Sequence, residues 1–189
     1  MSDFSLPPLP HGDDLFSAAV RSVHKRKFYD EPLPVTKDRA LMGQMLRLVE
    51  ELGEYETATG VAAENELADV AIVLAQVAWL CGLDPAAMND AKVNHNADGL
   101  VEAVGSICRA MRRQPWNPVP LRLAILRATA TVWAEAARIG ASMDVAIAGK
   151  LSADERRGYR HNGGGAIAEV PAYRLAGVHD GYYPDDDEA

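Results

Sequence analysis

The segment from about Ala62 to Cys81 is apolar on nearly every side, yet it carries two acids three residues apart, Glu66 and Asp69. A helix that is apolar all round has to be enclosed by the rest of the protein. Carboxylates carried into such a setting are costly unless something positive meets them. A second acid pair with the same spacing, Glu51 and Glu54, stands shortly upstream in Met45-Leu-Arg-Leu-Val-Glu-Glu-Leu-Gly-Glu-Tyr55. Three-residue spacing puts both members of each pair on one helical face. The chain must therefore enclose an apolar helix while bringing its acids to a positive partner, and a hard divalent cation is the obvious one.

The remaining text is punctuated for helices. Asp13 and Asp14 suit the start of a helix running to about Phe28, and Asp30-Glu-Pro-Leu-Pro34 reads as an extended linker. Leu41, Met45, Leu48, Val49 and Leu52 recur at helical spacing between Val35 and about Thr59, and Gly60 is expected to stop that helix. The apolar helix ends at Gly82, and Asp84-Pro85 opens a short helix to about Asn96. Further helices are expected near Leu100 to Arg113, from Pro120 to Ile139 with Gly140 as the stop, and from Ser142 to about Leu151. The predicted fold is all-α, an antiparallel helical bundle.

Residues 1–12 read as a disordered N-terminus, 13–98 as a helical unit bearing the acids, and 99–160 as a second helical unit packed on the first. Residues 161–189 read as a Gly-rich and acidic tail. Lys150 and Lys92 are 58 positions apart, as are Gly140 and Gly82, so the units read as a tandem repeat with the second degenerate. At that offset Arg109, Arg112 and Arg127 stand opposite Glu51, Glu54 and Asp69, and Ala124 opposite Glu66. Only the first unit can then hold a metal ion.

Composition excludes several classes. Abundant Ala and Leu with little Phe favour helices over strands. A net charge of −8 and a pI of about 5.1 argue against non-specific nucleic-acid binding. The first ten residues lack the basic and apolar regions of a signal peptide. The apolar run from Val70 to Leu83, interrupted by Gln76, is too short to span a bilayer. No membrane partner and a cytoplasmic location are expected. Two cysteines, Cys81 and Cys108, make neither a disulfide framework nor a four-ligand zinc site, and both read as buried free thiols.

Glu-x-x-Glu followed one hairpin later by Glu-x-x-Asp sets four carboxylates across two facing antiparallel helices. An oxygen-only set of this kind suits Mg²⁺, with Mn²⁺ as a substitute. The plainer alternative is an exposed, solvated stripe of acids. A di-iron carboxylate bundle would need Glu-x-x-His on two helices. None of His11, His24, His95, His161 or His179 follows a Glu at that spacing, so that alternative fails. Glu50, about 100° round the helix from Glu51, either supports the site or is solvated.

Glu50-Glu51-Leu-Gly-Glu54 with Glu66-Leu-Ala-Asp69 resembles the Glu-Glu-x-x-Glu and Glu-x-x-Asp signature of the MazG-like all-α nucleoside triphosphate pyrophosphohydrolases. Val70-Ala-Ile-Val-Leu, the Gly82-Leu-Asp84 turn and Ala91-Lys92 fit the same family, and the resemblance runs from roughly Arg39 to Asn96. It implies that Glu51, Glu54, Glu66 and Asp69 are Mg²⁺ ligands and that Lys92 and Asn96 face the nucleotide. The basic residue that often follows this Asn is replaced by Ala97-Asp98-Gly99. A similar ending occurs later, as Lys150 with Arg157-Gly-Tyr-Arg-His161. This division resembles the dimeric dUTPase-like members. It implies substrate contacts from Lys150, Arg157 and Arg160, and either a homodimer or a pseudo-dimer within one chain.

The implied reaction is Mg²⁺-dependent cleavage of a ribo- or deoxynucleoside triphosphate to monophosphate and pyrophosphate, in nucleotide-pool cleaning. A triphosphate adds about four negative charges to four carboxylates, so at least two ions are expected to balance them. Glu51 or Glu54 would orient or deprotonate the attacking water. The alternatives are a dUTPase-like enzyme specific for one deoxynucleotide, and a non-catalytic helical binding or assembly module with a structural cation. His24-Lys-Arg-Lys27 and Arg156 read as solvated charge or as phosphate contacts. Trp79, Trp116 and Trp133 read as packing residues, and Asp185 to Glu188 as a solubilising tail.

Overall fold

The computed structural model describes residues 6–25, 36–92, 99–113 and 118–157. Their secondary structure is all helical, in the order α1 (Leu15–Lys25), α2 (Lys37–Thr57), α3 (Val61–Leu80), α4 (Ala87–Ala91), α5 (Leu100–Arg113), α6 (Pro118–Ile139) and α7 (Met143–Arg157). Helix α3 is the apolar segment predicted from the sequence, and every residue from Val70 to Leu80 is buried. It is enclosed by α1, α2, α6 and α7. Helices α2 and α3 form one antiparallel hairpin, α5 and α6 another, and the short α4 rests on α6. The core joins Leu67, Leu74 and Leu80 of α3 to Phe16, Leu48, Ile107, Ile125 and Ile147 from the surrounding helices. No helix among the described residues is long and apolar enough to cross a membrane.

Local chemistry sets the helix ends. The Ser17 N–H donates to Asp14 Oδ1 at 3.0 Å, so Asp14 caps α1 as expected. Thr36 does the same for α2, accepting from the Arg39 N–H at 3.3 Å. Gly60 departs from expectation. Helix α2 ends at Thr57, where extended Ala58 donates its N–H to the Glu54 and Tyr55 carbonyls. Gly60, at φ +60°, immediately precedes α3. The reversal takes only three residues, and its last one needs a backbone conformation that a side chain disfavours. Asp84 closes a turn by accepting from the Ala86 N–H at 3.0 Å, so α4 starts at Ala87, later than predicted. Helix α7 passes the expected end at Leu151, since no Gly or Pro interrupts Ser152 to Arg157.

Two helix ends share one design. Gly82 (φ +67°) donates to the Trp79 carbonyl at 2.9 Å, and Leu83 donates to Ala78 at 3.0 Å. Gly140 (φ +74°) donates to Ala137 at 3.3 Å, and Ala141 donates to Ala136 at 2.8 Å. Both are Schellman closures, and every participating residue in the second lies 58 positions after its counterpart in the first. The packing of α3 on α7 and of α6 on α4 also exchange under that offset. Arg122 of α6 donates to the Gly82 carbonyl at 2.9 Å, tying the two hairpins together at this end.

Residues 6–12, expected to be unanchored, lie against the bundle. The buried Trp79 indole N–H needs an acceptor and donates to the Pro8 carbonyl at 2.8 Å. Arg21 donates to the Pro10 carbonyl at 3.0 Å, and Leu6 and Leu9 pack against the core. Residues 1–5 and the predicted tail 161–189 lie outside the described residues. The cysteines divide. Cys81 is buried, and burial pushes its thiol up to about 11, whereas Cys108 is exposed on α5, contrary to expectation. Position 108 falls on the outer side of an amphipathic helix whose inner side carries Val104 and Ile107.

If α3 carries the core, Leu74→Ala should cost about 2–5 kcal/mol of unfolding free energy in urea titrations. Leu46→Ala on the outer face of α2, where Leu46 is 54% exposed, should stay within about 0.5 kcal/mol. Similar losses at both sites would refute this assignment of the core.

Candidate metal centre

The α2–α3 hairpin brings together one carboxylate oxygen from each of Glu51, Glu66 and Asp69, all within 4.8 Å of one another. Glu51 is buried between the helices, and Glu66 and Asp69 are half-buried at the edge of the apolar part of α3. Glu54 is exposed, one turn beyond Glu51, and lies outside that triad. Its carboxyl nevertheless feels the others. Partial desolvation raises its affinity for a proton, and the charges of Glu66, Glu50 and Asp69 raise it further. Burial likewise pushes up the Glu51 carboxyl, and with Asp69 and Glu54 it outweighs the opposing charge of Arg47.

Two cations enter the cluster. Arg47 Nη2 lies 2.9 Å from Glu51 Oε1, one turn earlier on α2. This partner was missed in the sequence, although its four-residue spacing from Glu51 was there to be read. Lys150 Nζ, from α7, pairs with Asp69 Oδ2. Lys150 was expected near substrate phosphates, but no local pattern could announce an ion pair spanning 81 residues.

Lys92, expected to face the nucleotide, is engaged elsewhere. Its ammonium lies 3.0 Å from Asp144 Oδ1 and sits over the rings of Trp133 (4.8 Å) and Phe16 (5.1 Å). Trp133 and Phe16 also pack on each other, with centroids 5.4 Å apart. Trp79 is buried, with His24 edge-on at 6.0 Å. Asn96, Arg160 and Trp116 lie outside the described residues, as do the side chains of Arg156 and Arg157 at the end of α7.

A cleft of about 580 Å³ opens at the α2–α3 turn, lined among others by Tyr55, Glu56, Gly60, Glu64, Glu135 and Arg138. The Tyr55 hydroxyl donates to Glu135, which also accepts from Arg138 Nε at 2.8 Å and Nη2 at 2.6 Å. Burial and the Glu135 carboxylate push the Tyr55 phenol up to about 12. Arg138 in turn holds the Glu135 carboxyl below its usual range.

The donor set fits a hard divalent cation. It offers carboxylate oxygens and no imidazole or thiolate, so it could hold a metal ion. The raised carboxyls of Glu51 and Glu54 record mutual repulsion and desolvation that a bound cation would relieve. Comparison of the chain with the profiles of known protein families, with curated proteins and with solved structures finds no match.

The raised carboxyls make stability depend on pH. An ordinary glutamate titrates near 4.5, and Glu51 and Glu54 hold their protons to higher pH when folded. Above 4.5 the folded state therefore binds more protons than the unfolded chain, and stability falls as pH rises through that window. Glu135, held low, acts oppositely, and its contribution fades as pH drops below 4.5. In chelator, the Tm of the protein should fall as pH rises above 4.5, with a flatter slope in Glu54→Gln. An unchanged slope in that variant would contradict the repulsion.

Proposed function

We propose that this chain is a Mg²⁺-dependent nucleoside triphosphate pyrophosphohydrolase, releasing a nucleoside monophosphate and pyrophosphate within the cytoplasmic nucleotide pool. The observation that carries the reading is the convergence of Glu51, Glu66 and Asp69 on facing helices, with Glu54 one turn away. The order of acids along α2 and α3 is that of the MazG-like signature, which adds support from the sequence.

Glu51, Glu66 and Asp69, with Glu54 completing the set, would hold Mg²⁺ or Mn²⁺. Bound there, the ion would supply neutralisation of phosphate charge and activation of water. Glu51 is buried and tied to Arg47, which suits a fixed ligand. Glu54 is exposed with a raised proton affinity, which suits a group that orients the attacking water and takes its proton. The cleft at the α2–α3 turn has an acidic lining, with Glu56, Glu64 and Glu135 against Arg138. Phosphates would avoid it and lie on the Lys150 side of the cluster, leaving the cleft for the less charged end of the nucleotide. The second hairpin reads as a companion unit that has lost its acids, so one chain forms a pseudo-dimer.

A specific observation supports a second reading. Arg47 and Lys150 already pair with two of the acids, as they would in a binding or assembly module whose charges serve structure alone. Anion-exchange analysis of a panel of ribo- and deoxynucleoside triphosphates, with Mg²⁺ and with chelator, separates the two. Monophosphate and pyrophosphate should form only with metal. Asp69→Asn should lower turnover by at least about 100-fold with an unchanged circular dichroism spectrum. Full activity of that variant would remove Asp69 from the metal site, and no turnover of any triphosphate by folded, metal-loaded protein would favour the module.

A further inference from the structure

Among the described residues, the carboxylates of Glu51, Glu54, Glu66 and Asp69, with Glu50 close enough to act on Glu54, outnumber the cations that pair with them, Arg47 and Lys150. That surplus of negative charge favours a divalent ion. A second ion arriving with a triphosphate would need another carboxylate to be released from its internal partner. The partners are not equivalent. Arg47 shares a helix with Glu51 and stays one turn away whatever binds. Lys150 reaches Asp69 from a different helix, through a flexible stem ending in a compact point charge. Both side chains of this pair are partly open to solvent, 29% for Lys150 and 22% for Asp69, so the ammonium has room to swing.

We infer that Lys150 is a built-in counter-cation that competes with metal for Asp69 and transfers to a substrate phosphate once metal occupies the site. The inference rests on the pyrophosphohydrolase reading above and adds its regulation. While Lys150 holds Asp69, metal has to displace a cation, and an arriving phosphate offers the displaced ammonium a new partner. Metal and phosphate therefore favour each other's binding, and the coupling is reciprocal. In the absence of nucleotide the same contact keeps the acids partly neutralised and metal loosely held.

The test is Mn²⁺ binding to the full chain, followed by electron paramagnetic resonance of free Mn²⁺, for wild type, Lys150→Gln, Lys150→Met, Lys150→Arg and Asp69→Asn. Isothermal titration of inorganic pyrophosphate into the Mn²⁺-saturated proteins completes it. The two neutral variants should bind Mn²⁺ about fivefold more tightly than wild type, the scale expected for a partly exposed ion pair. Lys150→Arg should stay near wild type, and the neutral variants should bind pyrophosphate more weakly. Neutral variants that bind Mn²⁺ no more tightly than wild type would overturn the competition, and unchanged pyrophosphate affinity would overturn the transfer. Failure of the underlying reading looks different: wild type binds no Mn²⁺, or Asp69→Asn binds it equally well.

Discussion

Everything in this bundle depends on how α3 is enclosed. Its second half, Val70 to Leu80, is buried without exception and forces four other helices to gather round it. Its first half is only partly covered, and there Glu66 and Asp69 sit at the edge of the apolar region. One helix thus organises the core and carries half the acid cluster. The three-residue turn through Gly60 then fixes the register of α2 against α3. A slip of one residue would rotate Glu51 by about 100° and take it out of reach of its partners. The positive φ at Gly60 is therefore a condition of the site as well as of the hairpin.

The second hairpin serves the first in two ways. It supplies α6, whose Ile125, Ala128 and Val132 are fully buried within the core that surrounds α3. Through the Gly140 closure it also turns back into α7, which lies along α3 and brings Lys150 to Asp69. Lys92, 58 positions earlier in the chain, instead lies over Phe16 and Trp133 and pairs with Asp144. The two lysines thus have different tasks. One fastens helices, and the other meets the acids.

The legible parts of the sequence were those governed by local rules. The apolar run of α3, the cap at Asp14, the glycine ends at positions 82 and 140, and the facing of the two acid pairs all follow from spacing and backbone preference. Gly60 was misread because a glycine between two helices can end one or begin the next, and turn length decides which. The anchoring of residues 6–12 was hidden because it depends on a tryptophan N–H more than sixty positions away that needs an acceptor. The same holds for Lys150 and for the cation–aromatic seat of Lys92. The sequence names the residue type, and only the packing of α7 on α3, or of α4 on α6, supplies the partner. Glu54 marks a different limit, since spacing places it on the same face as Glu51 without saying how far the groove between the helices extends.

The surplus charge bears on why such a cluster would persist. Ion pairs buried for structure alone are often no better than well-packed apolar residues of similar volume. A network serving only stability would be expected to close its charges, with a cation for each acid. Here Arg47 and Lys150 answer two carboxylates, and Glu51 and Glu54 keep raised proton affinities despite them. Local rules are most often violated where a molecule binds or reacts. Among the described residues Arg47 and Lys150 pair with two of the clustered acids, and a bound cation would neutralise the rest with the chemistry these side chains already offer.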